Sequence, residues 1–263
     1  MTNDLSMFLS TTSLITFLLV FTRIIGMIAT APLFSTFPCP YQIKAGLAGL
    51  SAFVMYPFIL QVSNYTLPND LITFTLLLAK ELSVGLMIGF SASLIFTGIQ
   101  VAGHLLSMEM GIAMANALDP ITQQQVPIVG QFYLFMASIL FIFINGHQWL
   151  FSSIHESYVS IPIGLDFSFS APIVEQLIVF FSRLFATAFS LILPIFEILM
   201  LITILMGFLS KVVPQMNVFM VVLPLKIYIG LSLMVILMPP TAIFLMNELK
   251  EMMIDLNGIF SLG

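Results

Sequence analysis

The chain has 263 residues, with only 7 Lys or Arg and 12 Asp or Glu, so that charged residues make up 7% of the sequence. Soluble domains carry about 25% charged residues. With 60% hydrophobic residues and a net charge of −5, this chain lacks the polar side chains to cover its own surface. The composition excludes an ordinary soluble enzyme, a disordered protein and a basic nucleic-acid binder. It leaves an α-helical membrane protein, or a chain buried on all sides in a larger assembly.

Four segments free of Asp, Glu, Lys and Arg follow one another in the first part of the chain. Asp4 stands where a secretory signal needs Lys or Arg, so we do not expect the first segment to be a cleaved signal. Each segment is close to or above the roughly 18–20 residues that cross a hydrocarbon core, and none alternates every second residue as a β-barrel strand would. The segments are 5–22, 45–69, 82–108 and 120–155.

A fifth segment, 172–213, carries Arg183, Glu197 and Lys211 at two intervals of 14 residues. Fourteen residues are almost four helical turns, so these three charges are predicted near one face of a helix. Such a helix would be about 60 Å long, twice the hydrocarbon thickness, and must bend, break or project beyond the membrane. Pro194 is the candidate kink. A sixth segment, 212–247, is interrupted by prolines, so the sequence predicts six hydrophobic segments, two of them broken by proline.

Residues 243–262 predict an amphipathic helix. Its acidic side argues against anionic lipid, and both a helix lying on the lipid surface and a helix facing a protein partner stay open. Apolar residues recur every three or four positions, at Leu245, Leu249, Met252, Leu256 and Ile259, and the acidic side holds Glu248, Glu251 and Asp255.

Sequence motifs for catalysis, metals and cofactors are absent. The chain has no zinc-protease motif, nucleophile elbow, P-loop or dinucleotide fingerprint, and His104, His147 and His155 show no ligand spacing. The lone cysteine, Cys39, excludes an intramolecular disulfide framework and a multi-cysteine metal site. We therefore predict no catalytic residues, no cofactor and no metal.

Charges inside apolar segments need a structural or functional reason. They either pair helices or subunits with one another, or line a path for protons or ions. Their sparse, scattered placement favours pairing. The charges concerned are Glu81, Glu109, Arg183, Glu197 and Lys226. The predicted interhelix or intersubunit polar residues are Arg183, Glu197, Lys211 and Lys226.

The stretch 111–130 is uncharged except for Asp119 and is rich in small and amide side chains. Asp119-Pro120 ends a helix, and Pro127 limits where the next one begins. A surface turn would explain these residues. Irregular backbone at membrane depth is also tolerated where it lines a hydrated cavity, so a pore-lining or plugging loop is the second interpretation.

Three blocks of the sequence resemble the FliR/SctT family of type III secretion export-gate proteins, in its flagellar branch. They lie in the family's order and span most of the chain. The first block is Arg23-Ile-Ile-Gly26, Ala31-Pro32-Leu33-Phe34, Pro40 and Lys44–Ala48; the second is Ala102-Gly103, Met110-Gly111, Asp119-Pro120, Gln125-Val-Pro127, Gly130-Gln-Phe132 and Asn145-Gly146-His147; the third is Pro214–Phe219, Leu223-Pro-Leu-Lys226 and Gly230.

The resemblance implies a non-enzymatic subunit, present once in a cone-shaped hetero-oligomer of helical hairpins with P-type and Q-type subunits. The complex is expected at the bacterial inner membrane, in the flagellar basal body, in contact with lipid but not with nucleic acid, and unfolded flagellar proteins would pass through it. The acidic tail would meet the substrate-switching export component. By matched position, 111–127 would plug the channel. The gating residues implied are Gly111, Met114, Ala115, Asp119, Pro120, Gln123, Gln124, Gln125 and Pro127.

The resemblance also implies one export-gate domain over 1–263. Lys44 and Lys211 stand where many relatives have Arg, and residues 220–222 are larger than is usual in the family, which affects local contacts only. The equivalent subunit of a virulence injectisome is the alternative function. A secondary transporter would show two similar halves, which the sequence does not. Within the domain we expect N-terminal hairpins over 1–110, the plug over 111–127, a central hairpin over 128–213, a last hydrophobic hairpin over 214–247 and the tail over 248–263.

Overall fold

The computed structural model describes residues 11–32, 34, 40–62, 70–112, 128–164, 171–215 and 218–261. Within these ranges it contains eight α-helices and no strand, which confirms the prediction of an all-α chain. The helices are α1 Thr11–Thr30, α2 Tyr41–Val62, α3 Leu71–Glu109, α4 Ile128–Phe143, α5 Gly146–Ser160, α6 Ala171–Val212, α7 Val218–Ile236 and α8 Met238–Ser261.

Four of these helices, α1, α2, α3 and α6, are long and apolar enough to cross a membrane. The pairs α4–α5 and α7–α8 pass the same test if each bent pair counts as one span, which gives up to six. Six is also the number of hydrophobic segments predicted from the sequence. With 39 and 42 residues, α3 and α6 are about 58 and 63 Å long, well beyond a hydrocarbon core of about 30 Å.

The bend of 67° between α4 and α5 occurs at Asn145, without a proline. Asn145 has φ 60° and ψ 29°, in the left-handed region that asparagine tolerates better than most residues. Its carbonyl accepts hydrogen bonds from the backbone N–H groups of Gln148 and Trp149, at 3.0 and 3.2 Å. The break between α4 and α5 is therefore two residues long, Ile144 and Asn145, and Asn145 precedes the first residue of α5.

Proline has different effects in the last two segments. Pro194 lies inside α6, which continues on both sides of it. The break in the sixth segment falls at Leu237, where α7 and α8 meet at 62°. Pro239 and Pro240 then lie in the first turn of α8, where a missing N–H costs no helix hydrogen bond.

The chain divides into two compact units. The first comprises residues 1–94, 145–180 and 251–263, and its buried residues include Ile24, Met27 and Ile88. The second comprises 95–144 and 181–250, where the rings of Phe96 and Phe141 meet edge to face at 5.6 Å.

The predicted amphipathic helix is present as the C-terminal part of α8. Four of the five apolar positions that defined it are buried, with 0–1% exposure, and the side chain of the fifth, Ile259, lies outside what the structure describes. On the acidic side, the Glu248 carboxylate accepts a hydrogen bond of 2.8 Å from the Thr187 hydroxyl of α6. These four apolar positions of the helix are thus covered by the chain itself. The buried positions are Leu245, Leu249, Met252 and Leu256.

Candidate functional site

In the first unit, Arg23 of α1 and Glu81 of α3 form an ion pair with no solvent exposure. Nε of Arg23 donates to Oε2 of Glu81 at 2.6 Å, and both side chains are 0% exposed. Nη1 donates to the Ser157 hydroxyl at 2.9 Å, and Nη2 donates to the Ile161 carbonyl at 3.1 Å. The guanidinium carbon also lies 3.7 Å from the centre of the Tyr158 ring. The Arg23 guanidinium therefore links α1 to α3 and to the end of α5.

The ion pair depends on close contact between the backbones of α1 and α3. A Cβ atom on Gly85 would overlap the carbonyl oxygen of Arg23, and one on Gly89 would overlap the Met27 carbonyl and the Thr30 side chain. A Cβ on Gly26 would lie 2.9 Å from the Leu82 carbonyl oxygen. Gly85 and Gly89 are four residues apart, the small-residue spacing that lets membrane helices approach closely.

Lys80 adds a second cation at the end of α5. Its ammonium group donates hydrogen bonds to the carbonyls of Pro162 and Gly164, and the Arg23 guanidinium donates to the carbonyl of Ile161. Carbonyls beyond a helix C-terminus have no partner within the helix, and the negative end of the helix dipole favours cations. The turn after α5 is thus held through its backbone by two cations.

In the second unit, Lys226 of α7 binds the C-terminus of α3. Its Nζ lies 2.8 Å from Oε1 of Glu109 and 3.1 Å from the Glu109 carbonyl oxygen. The Thr203 hydroxyl of α6 lies 3.5 Å from the same carboxylate oxygen. Lys226 is 8% exposed, so this ion pair is largely withdrawn from solvent.

Of the predicted plug residues, the structure describes Gly111 alone. It follows α3 with φ 79°, a left-handed conformation that favours glycine, and its N–H donates to the Met108 carbonyl at 3.0 Å. The other eight residues lie outside the described ranges, so the plug stays a prediction. They are Met114, Ala115, Asp119, Pro120, Gln123, Gln124, Gln125 and Pro127.

The three charges spaced along α6 lie among apolar side chains. Arg183 is half-buried, whereas Glu197 and Lys211 are exposed. In the window Ile178–Val212 only 22% of the residues are buried, against 61% for α3. The exposed side of α6 is therefore largely apolar and carries the charges of Glu197 and Lys211. Its large exposed side chains include Phe181, Phe185, Phe189, Ile204, Leu205 and Phe208.

The sequence did not identify Arg23 and Lys80 as site residues. Glu81 was recognised as a charge in an apolar segment, but its partner lies 58 residues away, beyond any spacing within one helix. The available signal was the pair of opposite charges Arg23 and Glu81, which border the apolar segments 5–22 and 82–108. Nothing in their separation shows that the two helices touch.

The described residues offer no group of three or more His, Cys, Asp or Glu side chains that could hold a metal ion. The Arg23–Glu81 and Glu109–Lys226 pairs contact neighbouring helices and helix ends. The arrangement joins helices and satisfies helix ends in an apolar medium. Fold and charges together define an α-helical membrane protein in which buried ion pairs join helices.

Comparison with known proteins names the family. The model for bacterial export proteins, family 1, matches residues 14–252, and the chain belongs to this family. The resemblance to the flagellar branch of the FliR/SctT family is thereby confirmed.

Individual relatives are similar over most of their length. The flagellar biosynthetic protein FliR of Pectobacterium carotovorum subsp. carotovorum is 30% identical over 243 residues, 90% of each chain. The protein of the same name from Bacillus subtilis (strain 168) is 32% identical over 228 residues, which is 84% of this chain and 85% of the relative. The Yop proteins translocation protein T of Yersinia pestis is 30% identical over 200 residues, 74% of each chain.

Proposed function

We propose that this chain is a structural and gating subunit of the flagellar type III secretion export gate. In that role it forms part of the channel through which unfolded flagellar proteins leave across the inner membrane. The observation that carries the proposal is the family match over residues 14–252, joined to relatives named for flagellar biosynthesis that align over about 90% of both chains. A flagellar role is favoured over the injectisome role because the Yersinia relative aligns over 74% of each chain.

The exposed apolar side of α6 supports a role inside a hetero-oligomer. Lipid alone would cover its phenylalanines, but Glu197 and Lys211 on the same helix would each cost several kcal/mol in hydrocarbon. Neighbouring helices that carry opposite charges remove this cost. The P-type and Q-type gate subunits, around one copy of this chain, are the proposed neighbours.

The segment 111–127 is the proposed plug of the channel. A conduit wide enough for an unfolded polypeptide would also pass ions down the membrane potential, so it must be closed at rest. Closure that also has to open favours small and flexible side chains such as Gly111 and Met114, and amides such as Gln123 to Gln125, over strong ion pairs.

The remaining assignments follow from the same role. The chain acts as a structural component of an export apparatus and not as an enzyme, and it needs no cofactor or metal. It sits in the inner membrane within the flagellar basal body. The acidic side of α8, around Glu251, is the proposed contact for the substrate-switching export component.

Two measurements test the proposal. Purification in mild detergent, followed by native mass measurement, should find one copy of this chain with several copies of two other apolar helical subunits; a long-lived, monodisperse monomer would contradict it. Deletion of 114–124 should leave the complex assembled and make the membrane permeable to small ions, as measured by conductance or by salt-sensitive growth. If the deletion variant assembles and the membrane shows no added permeability, 111–127 only connects two helices and does not close the channel.

A further inference from the structure

An apolar groove lies in the first unit, where α2 packs against α5. Its volume is about 490 Å³, within the range of about 300–1,000 Å³ that is typical of sites for small molecules. The walls are mostly apolar, and none of the side chains that line the groove is acidic. The lining includes Leu50, Ser51, Val54 and Phe58 of α2, and Phe151 and His155 of α5.

The α2 wall of this groove is exposed to the surroundings of the chain. Leu50, Val54 and Phe58 follow one another at four-residue intervals and are 68%, 56% and 58% exposed. They belong to a helix that is long and apolar enough to cross a membrane, and only 22% of the residues in that span are buried. The groove is therefore open to the hydrocarbon of a bilayer, which supplies acyl chains as apolar ligands.

The shape of the groove favours an acyl chain over a helix of another subunit. From Leu50 to Phe58 the groove follows about 12 Å of α2. A volume of about 490 Å³ spread over that length gives a cross-section of about 40 Å², roughly half that of a helix about 10 Å wide. An extended hydrocarbon chain fits into such a groove, whereas a helix would not enter it fully.

One cation lies on the groove side of α2. Lys44 precedes Ser51 by seven residues and Met55 by eleven, which are close to two and three helical turns, so the three share one side of the helix. Along the axis, Lys44 lies about 9 Å before Leu50, where the groove begins. Lys44 is half-buried and forms no ion pair with any of the residues that the structure describes. Its charge is thus available to a ligand that occupies the groove.

The beginning of α2 has the features of a membrane–water boundary. Tyr41, the first residue of the helix, is 85% exposed, and Gln42 beside it is exposed as well. Tyrosine is enriched at the level of lipid headgroups, and lysines near helix ends extend toward that level. The positive end of the helix dipole favours an anion at the same place. The start of α2 therefore suits a phosphate group, and the groove lies deeper along the same side.

We propose that the groove between α2 and α5 is a binding site for one anionic phospholipid. Lys44 binds the headgroup phosphate, and one acyl chain lies along Leu50, Val54 and Phe58. A zwitterionic lipid carries its own cation next to the phosphate, which offsets the attraction of Lys44, so the site selects an anionic headgroup. This inference goes beyond the export role and does not depend on a channel or on the segment 111–127.

The test labels the groove with lipid in the whole chain, purified together with its accompanying subunits. The assembly is placed in phosphatidylcholine nanodiscs that contain a trace of lipid with a photoreactive group on one acyl chain. That lipid is phosphatidylglycerol in one arm and phosphatidylcholine in the other. After irradiation, mass spectrometry measures the lipid adducts on peptides 50–58 and 151–155 per assembled complex.

The variants separate the headgroup contact from the acyl-chain contact. K44M removes the cation and K44R keeps it, whereas S51F and S152F place a large ring in the groove, which both serines line. Two substitutions in α6 are matched controls for the loss of a lysine and for the added ring, because both residues are exposed and do not line the groove. These controls are K211M and S182F.

We expect phosphatidylglycerol to label the groove about fivefold more than phosphatidylcholine, which is the effect of one cation close to an anionic headgroup. K44M should lower the phosphatidylglycerol labelling to the phosphatidylcholine level, and K44R should stay near wild type. S51F and S152F should reduce labelling by both lipids, and the two controls should change neither. Raising the salt concentration should weaken the preference for phosphatidylglycerol, because salt screens the charge of a half-buried lysine.

Several outcomes would overturn the proposal. Equal labelling of the groove by both lipids would remove the anionic preference, and an assembled K44M variant that keeps the preference would remove Lys44 from the site. A photoreactive amino acid at position 54 that labels another subunit and no lipid would show that a helix covers the groove. If K44M does not accumulate, the salt dependence of wild-type labelling decides, and a preference that salt leaves unchanged would contradict the proposal. Loss of assembly in K44M, S51F and S152F alike would assign these residues to folding alone and overturn it.

Discussion

Removing one partner of the Arg23–Glu81 pair should destabilise the chain far more than removing both. R23M leaves the Glu81 carboxylate uncompensated at a site with 0% exposure, and E81M leaves the guanidinium in the same position. Loss of one partner of a buried ion pair costs about 3–5 kcal/mol, so the two single variants together should lose at least about 6 kcal/mol.

The double variant R23M/E81M removes both charges and puts unbranched apolar side chains in their place. Replacing a buried ion pair by apolar residues is often neutral or stabilising. Here it also removes the bonds from the charged Arg23 guanidinium to the Ser157 hydroxyl and the Ile161 carbonyl, each worth about 1.5–3 kcal/mol, which the apolar replacement offsets in part. A net loss of about 2 kcal/mol is expected, which gives a coupling energy of about 4 kcal/mol between the two positions.

The measurement is a double-mutant cycle on the complex in mild detergent, unfolded by SDS titration and monitored through the protease resistance of this chain. K44M is the control, because Lys44 is a half-buried cation of α2 for which the described residues provide no ion pair. If the double variant loses the sum of the two single losses, to within about 0.5 kcal/mol, the two charges do not act as a pair and the reasoning fails.

Three further predictions use the same unfolding assay or the accumulation of the chain in cells. G85A should strongly reduce accumulation because its Cβ would overlap the Arg23 carbonyl, whereas G46A, with nothing within 4 Å of the added atom, should be tolerated; equal accumulation of the two would contradict the close crossing of α1 and α3. Truncation after residue 246 should destabilise the chain itself, because it removes buried residues of α8. L249A alone should lower the free energy of unfolding by about 2–5 kcal/mol. A fully stable truncated chain would show that α8 is not part of the core. K80M should lower the free energy of unfolding less than R23M does, because Lys80 is half-buried whereas Arg23 is 0% exposed; a loss as large as that of R23M would contradict this order.

The positions of the helices could be predicted from the sequence because the signal is local. A run of apolar residues either is or is not long enough to cross a membrane, and the six hydrophobic segments correspond to the four long helices and two bent pairs. The amphipathic pattern of 243–262 likewise appears as the buried positions of α8. One local prediction was less specific, because a proline inside a long apolar segment does not reveal whether the helix stops. α6 continues through Pro194, and the larger of the two bends between described helix pairs falls at Asn145.

By itself, then, the sequence determined an all-α membrane chain, its segments and, through three blocks of residues, its family. Only the tertiary structure decided which charges meet. Arg23 and Glu81 are 58 residues apart, and Glu109 and Lys226 are 117 residues apart, so no periodicity within a helix links them. The Arg23–Glu81 contact also depends on a glycine, since Gly85 lets the backbone of α3 approach the backbone of α1 at Arg23. Pairing in an apolar protein follows from which helices pack together, and that is a property of the whole fold.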